Sequence, residues 1–325
     1  MITVEHLTKR YGDFTAVDDL SFAIDEGHVY GFLGPNGAGK STTMNIMTGC
    51  LSPTAGHVRI DGHDILEEPK EAKRLLGYLP EQPPLYLNET PVAYLRFVGE
   101  AKGLRGAELE AQIEEVLEQT KITSVRNRCI SALSKGYKQR VGIAQALLGN
   151  PKVIILDEPT VGLDPLQIIE IRELIRQLGE THTILLSSHI LSEVQTMCEQ
   201  ILMIAHGKLV AFDRPENLEK RLLAPSEITL TAEASAEEAQ RILAEVAHIT
   251  ELHTEALSHG RSTIQVKTDL DDIYELSREI FFAFADAHRP LLEMALKKAN
   301  LEDVFIELTE TATEELPAEP EVTES

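Results

Sequence analysis

Residues 27–42 read "GHVYGFLGPNGAGKST", an apolar run that stops at a glycine-rich loop, a lysine and two hydroxyl residues. The apolar part suits a buried strand, and the stretch after the lysine suits a helix. Between them Gly34, Pro35, Asn36, Gly37, Ala38 and Gly39, followed by Lys40, Ser41 and Thr42, match the pattern G-x-x-x-x-G-K-[ST]. Glycines let backbone N–H groups wrap phosphates with no Cβ in the way. Lys40 neutralises charge on β- and γ-phosphates, and the Ser41 hydroxyl is a ligand for Mg²⁺. The bland alternative is a glycine-rich loop with an incidental lysine, and the strand-to-helix context argues against it.

Two further apolar runs have the same form. "KVIILDEP" (152–159) and "HTILLSSH" (182–189) read as buried parallel strands whose C-terminal ends carry the chemistry. The first brings two carboxylates to the phosphates: Asp157 to hold Mg²⁺ through its water shell, and Glu158 to polarise an attacking water. Without a phosphate loop nearby, such a pair reads equally as solvated. His189, which ends the second run, reads either as a γ-phosphate contact or as a half-buried strand-end histidine. Residues 91–149 read as several helices, with Ile113, Val116 and Leu117 of "AELEAQIEEVLEQTKI" (107–122) on one face. The expectation is an α/β core of the P-loop NTPase kind with a helical insertion.

Inside that insertion lies "LSKGYKQR" (133–140). Ser134 is a good N-cap, Val141, Ala144, Gln145 and Leu148 recur at helical spacing, and "GNP" (149–151) stops the helix. The stretch is therefore a helix N-terminus, with free N–H groups and a positive dipole that favour a phosphate. Read alone, the stretch favours the plainer reading, a capped helix with a solvated basic first turn.

After "KRLLAPSE" (220–227) the pattern changes to a β-α-β-β-α-β order ending in "PLLEMALKKA", which predicts a small α+β domain of ferredoxin-like form. The helical segments there are "SAEEAQRILAEVAHI" and "LDDIYELSREIFFAFADAH". The closing "TATEELPAEPEVTES" has no Lys or Arg and reads as a disordered acidic tail. The expected domains are thus 1–222, 223–310 and a tail, 311–325. Net charge is -23, and residues 223–325 hold 7 Lys/Arg against 23 Asp/Glu, a surface that repels nucleic acid and anionic lipid. Cys50, Cys129 and Cys198 form no CxxC pair or zinc-like spacing and read as ordinary thiols. No run approaches the ~20 apolar residues of a membrane helix, and the start lacks a signal-peptide core, so a soluble chain is expected.

The ordered set of motifs over residues 1 to about 220 resembles the ATP-binding subunit of an ABC transporter. "LSKGYKQR" resembles the family signature, "VGLD" with Asp164 resembles its D-loop, and His189 falls where its switch histidine lies. Tyr11, in "TKRYGDF", falls where the family stacks an aromatic ring on adenine. Two positions depart from the pattern. In "GYLPEQPP" the position usually held by a glutamine that touches Mg²⁺ is Glu81, with Gln82 following. The usual LSGGQ is here Leu133-Ser134-Lys135-Gly136-Tyr137, so a lysine replaces a glycine.

The resemblance implies an ATP- and Mg²⁺-dependent ATPase with catalytic Glu158, His189 and Lys40. It also implies a head-to-tail homodimer in which Ser134 and Gly136 of one copy close on the γ-phosphate held by the other, and a separate transmembrane permease that seats the chain on the cytoplasmic face of the membrane. The C-terminal part resembles the accessory domain of single-cassette ATPases of bacterial exporters. Two rivals stand beside this reading. A soluble ABC-type ATPase acting on nucleic acid or ribosomes would usually carry two cassettes, a coiled-coil insertion or zinc modules. A P-loop kinase would leave the ordered signature, D-loop and histidine without explanation.

Overall fold

The computed structural model describes residues 1–221, 226–268, 270 and 272–297. The chain divides into two compact units between Pro215 and Glu216. The domain boundary expected after residue 222, and the tail expected over 311–325, lie outside the described residues.

The first unit runs β1 (Ile2–Tyr11), β2 (Phe14–Ile24), β3 (Val29–Leu33), α1 (Lys40–Met47), β4 (Ala55–Ile60), β5 (His63–Asp64), α2 (Pro69–Arg74) and β6 (Leu76–Leu79). Then follow α3 (Pro91–Ala101), α4 (Gly106–Gln119), α5 (Lys135–Leu147), β7 (Val153–Leu156), α6 (Pro165–Gly179), β8 (Thr183–Ser188), α7 (Leu191–Met197), β9 (Gln200–Ala205) and β10 (Lys208–Asp213), while α8 (Pro215–Arg221) starts at the division and falls, past its first residue, in the second unit. Helices α3 to α5 are the helical insertion, and Ile113, Val116 and Leu117 of α4 are buried as the sequence pattern requires.

Two sheets form. β2-β1-β4-β5 is antiparallel, and β10-β9-β3-β8-β7-β6 is parallel except for the β10 edge. Every residue of β3, β7 and β8 is buried, which is why these strands do not alternate apolar and polar residues; Ser187 and Ser188 of β8 are polar but buried with hydrogen bonds. Each fully buried Ile or Leu contributes about 1.5–3 kcal/mol of transfer free energy. Gly31 in β3 has no side chain because α7 crosses it: a Cβ there would meet Val194 Cγ1 at 2.0 Å.

The register fixes the site. Leu33 pairs with Ser188, Leu156 with Leu186, and Leu79 with Leu156. The residues that leave these strands, Gly34, Asp157, His189 and Pro80, therefore emerge side by side at the carboxyl edge of one sheet.

The second unit runs β11 (Ser226–Ala232), α9 (Ala236–Leu243), β12 (Ile249–Ala256), β13 (Ser262–Thr268), α10 (Ile273–Asp286) and β14 (Leu291–Lys297). Its sheet is antiparallel with the order β12-β13-β11-β14, the ferredoxin-like arrangement. Ile228, Leu230, Ile264 and Val266 face Ile280 and Phe284 in its core. Helix α9 stops at Leu243, short of the span its sequence suggests, and the chain turns through His248 at φ 64° into β12.

Candidate functional site: a phosphate cleft and a second, separate cleft

The loop between β3 and α1 is shaped by close backbone approach. Gly39, the N-cap of α1, sits at φ 102°, and a Cβ there would meet Ala16 O at 2.5 Å. Gly34 is as crowded, since a Cβ would lie 2.5 Å from Ile204 O. Lys40 opens α1, is buried, and donates from Nζ to the Gly34 carbonyl at 2.7 Å and the Pro35 carbonyl at 3.1 Å. Burial pulls its ammonium below the ordinary lysine value, against the pull of Glu158, Asp157 and Glu81, which favour the charge. Ala38 is buried, and its carbonyl accepts from Gly207 N–H at 3.0 Å.

A cleft of ≈ 380 Å³ lies over this loop. Asn36, Gly37, Gly39, Lys40, Ser41 and Thr42 of the loop line it, together with Glu81, Glu158 and His189. Tyr11, 50% exposed, also lines it, with Lys9 Nζ 5.1 Å from its ring centroid. Gln82 is exposed and does not line the cleft, so of the two adjacent residues it is Glu81 that faces the cleft over the phosphate loop.

The carboxylates are held differently. Asp157, 3% exposed, lies behind the cleft and accepts from Ser187 Oγ at 2.6 Å. The same Ser187 oxygen accepts from Glu158 N–H at 2.8 Å. Glu158 has φ 47°, a left-handed conformation that costs a non-glycine residue about 1–3 kcal/mol and persists only where surrounding contacts enforce it. Its carboxylate stands 3.0 Å from His189 Nδ1 and 3.8 Å from Lys40 Nζ. A carboxylate braced between an imidazole and an ammonium, beside a helix N-terminus, suits polarising a water aimed at a phosphate held there.

Ser134 and Asp164 are both N-caps: Ser134 Oγ accepts from Tyr137 N–H at 3.4 Å, and Asp164 Oδ1 from Gln167 N–H at 2.9 Å. They belong to a second cleft of ≈ 380 Å³, lined by Ser134, Gly136, Tyr137, Arg140, Asp164 and Gln167 among others. The two clefts share no lining residue. Lys135 turns away from this second cleft to lie against the backbone of Gly162, where a Cβ would meet its Nζ at 2.2 Å. The phosphate-loop group, Glu158, His189, Glu81 and Tyr11 are thus brought together, whereas Ser134, Gly136 and Asp164 form a group of their own.

Sequence reasoning missed Phe14, Ala16 and Val161, which also line the phosphate cleft. Phe14 is 63% exposed and pairs with Tyr11 across the Gly12 turn. Two aromatic residues flanking a Gly-Asp turn in "YGDF" were its signal. Ser187 was missed as well; its signal was a hydroxyl pair closing an otherwise apolar buried strand.

A parallel sheet with a phosphate loop, a buried lysine and a carboxylate pair at its carboxyl edge defines a nucleoside triphosphatase. Residues 17–161 match the family model described as ABC transporter. The linearmycin resistance ATP-binding protein LnrL of Bacillus subtilis (strain 168) is 33% identical over 312 residues, covering 95% of this chain and 98% of that protein. The bacitracin transport ATP-binding protein BcrA of Bacillus licheniformis is 34% identical over 310 residues, 95% and 97% of the respective chains. A solved dimeric ATP-binding cassette in a post-hydrolysis state, bound to ADP and phosphate, superposes with a TM-score of 0.59 at 28% identity, covering 66% of this chain and 98% of that one. The chain belongs to the ABC transporter family, and it is an ATP-binding, ATP-hydrolysing subunit. Among the described residues no helix is long and apolar enough to cross a membrane.

Proposed function

We propose that two copies of this chain bind ATP at residues 34–42 and close head to tail, so that Ser134 and Gly136 of each meet the γ-phosphate held by the other. The observation that carries this reading is the separation of the two clefts: within one chain a helix N-terminus built to take a phosphate faces none of the residues that bind one. Lys40 neutralises the phosphates, Tyr11 stacks on adenine, and Glu158, steadied by His189, polarises water for in-line attack. Asp164 orders the loop beside the signature helix.

Ser41, Asp157 and Glu81 supply only hard oxygen donors at this edge of the sheet, and Gln82 lies outside the cleft. Among the described residues no three His, Cys, Asp or Glu side chains are grouped to hold a metal unaided. That fits Mg²⁺, which takes most of its ligands from water and phosphate. When bound, the ion offsets charge developing on the phosphate oxygens. Ser41 is the direct ligand in this reading, Asp157 holds the ion through water, and Glu81 takes the sensing place of the family glutamine.

Closure drives a separate transmembrane permease, with residues 1–222 as the cassette, 223–310 as an accessory domain, 311–325 as an acidic tail, and the whole seated on the cytoplasmic face of the membrane. The relatives named for linearmycin resistance and bacitracin transport support export of an antibiotic-like cargo. Net charge of -23 supports a cycle without nucleic acid.

The decisive experiment is Ser134→Arg. ATP-driven dimerisation, followed by light scattering, should be lost while the affinity of the monomer for ATP is kept; dimerisation at the native ATP concentration would refute the shared site. Tyr11→Ala should raise the Kd for ATP by about 3- to 10-fold, the worth of one aromatic stack. An equal loss for GTP is expected, because stacking does not read base edges; an unchanged Kd for both nucleotides would remove Tyr11 from the site.

A further inference from the structure

Behind the catalytic face lies a buried carboxylate that no motif assigns. Glu193, on α7, is 3% exposed. Its Oε2 accepts from Thr160 Oγ1 at 2.6 Å and lies 3.5 Å from Ser188 Oγ, whose one proton has Ile190 O at the same distance, and its Oε1 lies 3.4 Å from Arg172 NH2 on α6. Arg172 Nε is itself buried and has no hydrogen-bond partner among the described residues, so Glu193 is the carboxylate on which that guanidinium depends.

The partners of Glu193 are informative by position. Thr160 stands two residues after Glu158, and Ser188 immediately precedes His189. Glu158 and His189 are the two groups in contact over the phosphate cleft, at 3.0 Å, yet they leave different strands, β7 and β8. Ser187 ties the start of the Glu158 turn to β8, and Glu193 ties its far side, at Thr160, to the segment that carries His189. Glu158 N–H held by Ser187 and Thr160 Oγ1 held by Glu193 bracket the residue with φ 47°, the conformation that needs enforcement.

We propose that Glu193 is a positioning residue for ATP hydrolysis: through Thr160 on one side and Ser188 on the other, it holds the Glu158 carboxylate and the His189 imidazole in mutual register. This rests on the reading of Glu158 as the group that polarises water. It predicts an effect on the chemical step and not on nucleotide capture, because neither Glu193 nor Thr160 lines the phosphate cleft. Displacement of a reacting group by about 1 Å lowers a rate by about 10²-fold.

The test uses the full chain, with hydrolysis measured as a function of ATP concentration and melting temperature measured on the same samples. Thr160→Val keeps the shape and deletes the hydroxyl, Thr160→Ser restores the hydroxyl, and Glu193→Ala removes the anchor. Thr160→Val and Glu193→Ala should each lower kcat by about 10- to 100-fold with KM for ATP within about twofold of native. Thr160→Ser should hydrolyse at close to the native rate, and the double variant Thr160→Val/Glu193→Ala should be no slower than the slower single. Glu193→Ala leaves Arg172 unpaired and risks misfolding, in which case the Thr160 pair decides the question. Native kcat in Thr160→Val, or a loss in Thr160→Val that Thr160→Ser does not recover, would overturn the proposal, as would a raised KM with unchanged kcat. Glu158→Gln, assayed alongside, separates the two layers: retained hydrolysis there sinks the water-polarising role itself, whereas its loss together with native Thr160→Val sinks only the positioning role.

Discussion

Glu158→Gln is expected to lower steady-state ATP hydrolysis by about 10²- to 10⁴-fold while leaving ATP affinity unchanged, the range associated with losing a general base. The substitution is nearly isosteric, so the geometry around it survives. Ser187 still accepts the backbone N–H, and the side-chain oxygen still accepts from His189. What disappears is the negative charge and the capacity to take a proton from water. The charge also matters to Lys40, whose Nζ is 3.8 Å away, so the variant weakens the pull that keeps this buried ammonium protonated. With hydrolysis blocked and binding retained, closed dimers should accumulate on addition of ATP and persist on a gel-filtration column. Native turnover in this variant would show that another group polarises the water.

The parts of this site that are local in sequence were legible in sequence. The phosphate loop is one continuous stretch, so its glycines, lysine and hydroxyls can be read together without knowing the fold. The strand "VIIL" announces its own burial and hence the place of Asp157 and Glu158 at its end. Residues whose role depends on what crosses them were not legible. Phe14 reaches the cleft only because the β1–β2 turn brings it beside Tyr11. Glu193 looks from sequence like one more charged residue of a helical "LSEVQTM", and its burial follows from Thr160 and Arg172 converging on it from distant segments. Glu81 and Gln82 were indistinguishable as neighbours in a turn. The direction in which the chain leaves β6 separates them, placing Glu81 in the lining of the phosphate cleft and Gln82 outside it. Lys135, the other departure from the family pattern, lies along Gly162, a contact that no property of "LSKGY" taken alone encodes.

Lys40→Met should raise the Kd for ATP by about 10²-fold or more, the scale on which a desolvated charge contact fails when one partner is removed. The nucleotide-free protein should respond in the opposite sense. Lys40 is buried with two of its three donors on the Gly34 and Pro35 carbonyls, and burial outweighs the attraction of Glu158, Asp157 and Glu81, leaving its pKa below the ordinary value of 10.5. The folded state thus holds the charged form less favourably than the unfolded chain does. Below the folded pKa the lysine is protonated in both states and that cost is fully present. Between the folded pKa and 10.5 the unfolded chain binds more protons, so native stability recovers as pH rises. Lys40→Met carries no such charge at any pH. Its melting temperature without ATP should therefore exceed that of the native protein at neutral pH, and the gap should narrow as the solution is made alkaline. Addition of MgATP should then raise the melting temperature of the native protein and leave the variant where it was. A variant that melts lower than native at neutral pH and gains equally from ATP would mean that Lys40 holds the fold together and leaves phosphate binding to the backbone N–H groups of the loop.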